Sequence, residues 1–169
     1  MSPTPRPDDG GLVLTIARLS GFIASGGLSN GDRAALKRMH FDQPPPLAFY
    51  KMAVHYLPPG WESSTGLKDW VTIVSGMALM SPSIHRPDRS LGRVLAEVNY
   101  SESRLERLLA ARGDVRRTLV LRTVRLMAAK LVSCNWSDVA GLILLRDPDK
   151  VEAINRRIAR DFYFNQLER

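Results

Sequence analysis

Apolar residues recur at helical spacing along most of the chain. Leu12, Ile16, Leu19 and Ile23 fall on one stripe, which Gly26-Gly27 closes. Ser29-Asn30-Gly31-Asp32 opens a second helix over 33–40, in which Ala35, Leu36 and Met39 face inward. Pro44-Pro45-Pro46 cannot continue it. A third helix covers 47–57, stopped by Pro58-Pro59-Gly60, and a fourth, apolar on several sides, covers 67–80. Residues 81–90 contain two prolines, three serines and no apolar period, which reads as a linker. Short spacings follow: a helix over 91–98, then one over 102–112 capped by Ser101 and stopped by Gly113. Asp114 is placed to cap a long helix over 115–132, and Asn135 with Asp138 has capping-box spacing for one over 136–145. Asp147-Pro148 opens the last, to about 165, with Val151, Ile154, Ile158 and Phe162 on one stripe. No alternating pattern of useful length marks a strand, and no repeat or low-complexity tract stands out. The pattern therefore predicts an all-α chain: a flexible tail over 1–11, a helical bundle over 12–80, the linker over 81–90 and a second bundle over 91–169.

Composition narrows the class. The 169 residues are 44% hydrophobic and 24% charged, as in globular domains. No apolar run approaches the roughly 20 residues that span a bilayer. Residues 1–11, with three prolines and two aspartates, do not form a signal peptide, so the cytoplasm is the expected compartment. The lone Cys134 excludes a disulfide framework or a cysteine-rich zinc site within one chain.

Charge points to a partner. The chain carries 24 basic and 17 acidic residues, net +7. Residues 86–130 hold eleven basic against five acidic residues and so account for nearly all of this excess. Ten of the eleven are arginine, whose planar fork matches phosphate oxygens and stacks on bases. Such a cluster favours a polyanion. On the helix over 115–132, Val120, Val124, Met127 and Leu131 form a core stripe, and Arg122 and Arg125 lie on the opposite side, about 60° apart. On the helix over 102–112, Leu105, Leu108 and Leu109 face inward; Arg104 and Arg107 share one flank, and Glu102 and Glu106 the other. On the helix over 33–40, Arg33 and Lys37 are one turn apart, with Arg38 adjacent. Three basic sides brought together would make a groove for a phosphate backbone; kept apart they are solvated faces.

Enzyme signals are weak. His40, His55 and His85 have no metal-ligand spacing, no Gly-Lys-Ser/Thr follows the glycines at 21–31, and Cys134 has no basic neighbour. Asp147 and Asp149 are explained by helix capping. Neither a cofactor nor a metal is implied.

Several motifs in order carry a family resemblance. Gly31-Asp32-Arg33-Ala34-Ala35-Leu36-Lys37-Arg38, Ala48-Phe49-Tyr50, Gly60-Trp61, Leu91-Gly92-Arg93-Val94-Leu95-Ala96, Ser101-Glu102-Ser103-Arg104-Leu105, Leu108-Leu109, Asn135-Trp136 and Ala159-Arg160-Asp161-Phe162-Tyr163 resemble the landmarks of the CasB family. This is the small subunit of the type I-E CRISPR Cascade complex. The chain departs from the pattern at Leu144-Leu145-Arg146 and at Ile158, where the family often has tryptophan, and at Asn135, where it usually has aspartate. The resemblance implies a two-part, all-helical, non-enzymatic subunit. Its expected partners are the guide-RNA-binding backbone subunits, the large subunit, a second copy head to tail, the guide RNA–target DNA hybrid and the displaced single-stranded DNA. Arg38 and Arg104 match basic positions associated with nucleic acid in the family, and Arg125, eleven residues before Trp136, a third. Lys37, Arg107, Arg122 and Arg33 join them on face geometry, while Arg93, in the Leu-Gly-Arg turn, can serve either nucleic acid or a local pairing. The rival class is a helix-turn-helix DNA-binding regulator using 101–132. Against it, Gly113-Asp114 is a minimal joint and the second helix is long and apolar for a recognition helix.

Overall fold

A computed structural model describes residues 9–167. Among the described residues the chain forms nine helices and no strand: α1 (Asp9–Ala24), α2 (Asn30–Arg38), α3 (Leu47–Tyr56), α4 (Ser64–Met80), α5 (Leu91–Glu97), α6 (Glu102–Ala110), α7 (Gly113–Ala129), α8 (Trp136–Leu144) and α9 (Pro148–Leu167). The fold is all-α. Serine hydroxyls start four of them. Ser29, Ser63, Ser90 and Ser101 accept from the amides of Asp32, Gly66, Arg93 and Arg104, satisfying donors that a helix start leaves unpaired. Asp147 does the same for Asp149 and Lys150 at α9.

Helix α4 is central. Its side chains from Asp69 to Ala78 are all buried, against α7, α2, α8 and α1. A β-carbon on Gly76 would lie 2.7 Å from the fully buried Trp136 ring, so glycine here lets α8 approach α4. The tightest helix pair is α5 on α9. A β-carbon on Gly92 would fall 2.2 Å from the Ile158 carbonyl oxygen, so the Leu-Gly-Arg motif is a backbone-to-backbone contact. Buried side chains form one continuous set running from Ile16 to Phe162.

Residues 81–90 are fastened to 133–138. The Arg86 amide donates to the Cys134 carbonyl, the Asn135 amide to the Arg89 carbonyl and the Ser133 hydroxyl to the Ser83 carbonyl. The Trp136 amide donates to His85 Nδ1. Two buried aspartates add long-range ties. Asp69 of α4 receives Arg117 of α7 at 2.7 Å and Arg146 at 2.7 Å. Asp138 of α8 accepts from the Leu91 amide at 2.9 Å and from Arg157 of α9 at 2.5 Å. Burial pushes the Asp69 carboxyl up against the pull of both guanidiniums.

Five local expectations are corrected. Helix α1 begins at Asp9 rather than after residue 11; residues 1–8 of the expected tail lie outside the described residues. Helix α6 ends at Ala110, and Gly113 opens α7 instead of stopping α6, turning the chain with φ of 58°. Asp114 does not cap α7; its carboxylate binds Lys68 at 3.2 Å and Arg117 at 2.6 Å, which leaves α7 without a side-chain cap. Asp138 likewise turns away from the Asn135 cap toward Leu91 and Arg157, because a buried carboxylate needs a cation more than a helix start needs a second cap. Leu131 leaves the core stripe: α7 ends at Ala129, and Leu131, 91% exposed, takes φ of 55° as the chain reverses.

Candidate nucleic-acid interface

The eleven basic residues of 86–130 separate into inward and outward groups. Arg86, Arg89, Arg93 and Arg117 are ion-paired, with Asp88, Glu97, Glu97, and Asp69 plus Asp114. Arg112 and Arg116 donate to backbone carbonyls. Arg104, Arg107, Arg122, Arg125 and Lys130 are exposed and have no ion-pair partner among the described residues. These five are the charge the fold leaves unanswered.

Two of the helices that carry them are joined by a tyrosine. Tyr100, just before α6, shares a hydrogen bond of 3.0 Å with Thr123 of α7, and the Arg104 guanidinium lies 6.0 Å from the Tyr100 ring centre. Thr123 is buried, so this contact ties the start of α6 to the inward side of α7, while Arg122 and Arg125 point away from it. An arginine held against an aromatic face keeps its fork outward and loses less freedom when it binds an oxyanion.

The α2 pair is placed separately. Leu36 anchors the helix in the core, and Lys37 and Arg38 project from its last turn without an ion pair among the described residues. The chain then passes to Phe41, whose ring lies 6.0 Å from the Arg117 guanidinium of α7. That contact is with the start of α7, whereas Arg122 and Arg125 lie one to two turns further along. No hydrogen bond or ion pair among the described residues joins the α2 cations directly to the α6–α7 group. Arg33 has internal partners: its guanidinium donates to the Ile23 carbonyl at 2.8 Å, the Ser81 hydroxyl at 2.6 Å and the Ser25 carbonyl at 3.1 Å. Arg93 pairs with Glu97 one turn later at 3.1 Å.

The chain also has a cationic cleft that the motif reading passed over. Lys68, Asp69, Arg112, Asp114, Arg116, Arg117 and Arg146 line it, together with Ile143, Leu145 and Val151. A signal for it exists in the sequence. Arg116, Val120 and Val124 are spaced by four, so Arg116 lies on the buried stripe of α7, where an arginine needs a reason.

The comparisons with known proteins bear on this arrangement. The sequence profile of the family described as CRISPR-associated protein Cse2 matches residues 32–163. The chain belongs to the Cse2 family. This is the CasB small-subunit family that its motifs resemble. The matched span includes α3 to α8 and every basic residue of the three faces. No curated protein sequence matches the chain. Its fold is similar to that of a chain in the crystal structure of E. coli Cascade bound to a PAM-containing dsDNA target. The TM-score is 0.67 and the identity 22%, over 90% of this chain and 97% of that one.

Proposed function

We propose that the protein is a non-catalytic small subunit of a type I-E CRISPR Cascade effector complex, acting in the cytoplasm. It stabilises the guide RNA–target DNA hybrid and the displaced DNA strand. The observation that carries this reading is the Cse2 profile laid over an α6–α7 surface whose exposed cations without an ion pair among the described residues are arginines. Arg38, Arg104 and Arg125 are the main contacts, supported by Lys37, Arg107 and Arg122. Arg33, bound to Ile23, Ser25 and Ser81, holds α2 in place instead, and Arg93 pairs with Glu97 within α5.

The chemistry needs no turnover. Opening a duplex against a guide is a near-balanced strand exchange, so contacts to phosphates can decide it. Arginines supply these without reading sequence. Burial pushes the Cys134 thiol up, away from the thiolate a nucleophile needs. The partners are the guide-RNA-binding backbone subunits, the large subunit and a second copy of the chain. Co-purification tests the reading: the tagged protein, expressed with the other Cascade subunits and a guide RNA, is expected to bring all of them down as one assembly. An assembly that forms, binds target and opens it equally well without this chain overturns the proposal.

A further inference from the structure

The cleft at the start of α7 has a volume of about 640 Å³, and its lining has two characters. Five cations contribute: Lys68, Arg112, Arg116, Arg117 and Arg146. Two carboxylates, Asp69 and Asp114, are already bound to Lys68, Arg117 and Arg146. That leaves Arg112 and Arg116 with no carboxylate. Arg112 rests on the carbonyls of Leu109, Ala110 and Ala111. Arg116 is 5% exposed; its two Nη atoms bind the Leu142 and Leu109 carbonyls, and its Nε is buried with no partner.

The backbone faces the same way. Helix α7 runs for 17 residues and starts in this cleft, with no side chain capping its first amides. Those amides and the helix dipole favour an anion. The chain enters through Gly113, and a β-carbon there would meet nothing within 4 Å, so the approach is open. Burial, with Arg112 and Arg146 as like-charged neighbours, draws the Arg116 pKa down to about 10. A cation so placed gains from an oxyanion.

Size and the rest of the lining say what carries that oxyanion. Pockets for whole small ligands run from roughly 300 to 1,000 Å³, far more than one phosphate fills. Ile143, Leu145 and Val151 add an apolar surface that a bare anion has no use for.

We propose that this cleft holds one nucleotide of a bound single strand, its phosphate on the α7 start with Arg112 and Arg116, and its sugar and base against Ile143, Leu145 and Val151. The inference rests on the nucleic-acid reading above for the source of the nucleotide, but it uses none of that reading's contact residues.

The test is NMR titration of the full, isotope-labelled chain with inorganic phosphate, with adenosine monophosphate and with a short single-stranded DNA. The nucleotide and the DNA are expected to move the amides of Asp114, Val115 and Arg116 and the Arg116 Nε–H. Inorganic phosphate should reach the same signals only at about tenfold higher concentration, because it lacks the sugar and base that bury against Ile143, Leu145 and Val151. Arg112→Glu should weaken nucleotide binding about tenfold or more, and Arg112→Gln serves if the glutamate variant misfolds. Silence of these signals at nucleotide concentrations of about 1 mM overturns the proposal. So does equal affinity for phosphate and nucleotide, or binding unchanged in both variants. If DNA binds with the cleft signals still, the cleft fails and the nucleic-acid reading stands. If the nucleotide moves them but no DNA binds, the single-strand source fails together with that reading.

Discussion

Two single residues show how local conformation and burial set stability here. Helix α7 finishes with the Leu131 amide on the Ala128 carbonyl and the Val132 amide on the Met127 carbonyl, the wrapped end that normally carries glycine. Asn99 fills the matching place after α5, with φ of 59°, and asparagine tolerates it. Leu131 sits there with φ of 55° and is 91% exposed, so it has strain and no packing to offset it. Leu131→Gly is therefore expected to raise stability by about 0.5–1 kcal/mol, the left-handed strain relieved less the extra freedom glycine has when unfolded. Denaturant unfolding checks this, and a lower midpoint would refute it. His85 acts through protonation. Its Nδ1 accepts from the Trp136 amide, and burial lowers its pKa below the ordinary 6.5, with Asp138 pulling the other way. A group whose pKa folding lowers gives its full stabilisation above the unfolded value and loses it as pH falls through the folded one. The melting temperature should thus fall as pH drops below about 6.5. His85→Gln, which keeps an acceptor but cannot titrate, should flatten that fall; an equally steep fall in the variant would remove His85 as its source.

Between elements, the α5–α9 contact is the most exacting. Gly92 lies against the Ile158 carbonyl and the Phe162 amide, both backbone, so an added methyl has nothing flexible to displace. Gly92→Ala is expected to cost about 3 kcal/mol, at the upper end of overpacking, and to be read as a large drop in thermal midpoint. A loss under about 0.5 kcal/mol, ordinary for a surface change, would show that the helices part easily. Sequence periodicity located all nine helices because each buries a stripe: Ile16, Leu19 and Ile23 on α1, and Val151, Ile154, Ile158 and Phe162 on α9, are buried as the spacing required. It failed at the joints, where partners distant in sequence decide. Asp114 reads as a cap until Lys68, 46 residues away, is beside it, and Asp138 as a capping-box member until Leu91 and Arg157 are. The segment 81–90 reads as a loose linker, yet its amides and carbonyls find partners about 50 residues on, around Cys134 and Asn135.

For the molecule as a whole, the charge count was legible and its division was not. A sum over 86–130 cannot distinguish Arg117, buried between two aspartates, from Arg125, which has no ion pair among the described residues; only packing separates them. The outward faces at Arg104, Arg107, Arg122 and Arg125 did follow from helical spacing, because each lies away from core positions that are buried, Leu105 and Leu108 on α6 and Val120, Val124 and Met127 on α7. These residues and the α2 pair are where function should be sensitive and folding should not. The triple substitution Arg38→Ala, Arg104→Ala and Arg125→Ala removes three exposed side chains with no ion pair among the described residues, so stability should change by no more than about 0.5 kcal/mol per site. Each contact to a phosphate or stacked base supplies roughly 1–3 kcal/mol, and the combined loss falls on a nearly neutral strand exchange. Assembled complex carrying the triple variant should retain its guide RNA but open target duplex incompletely. The deficit should be largest at low salt and narrow as salt rises, since the variant releases fewer counterions on binding and so has the shallower salt dependence. Chemical footprinting of the displaced strand reads this directly. Full opening by the variant at matched concentration and salt would make the three arginines bystanders. Failure of the variant to assemble would transfer them from the nucleic acid to the contact between subunits.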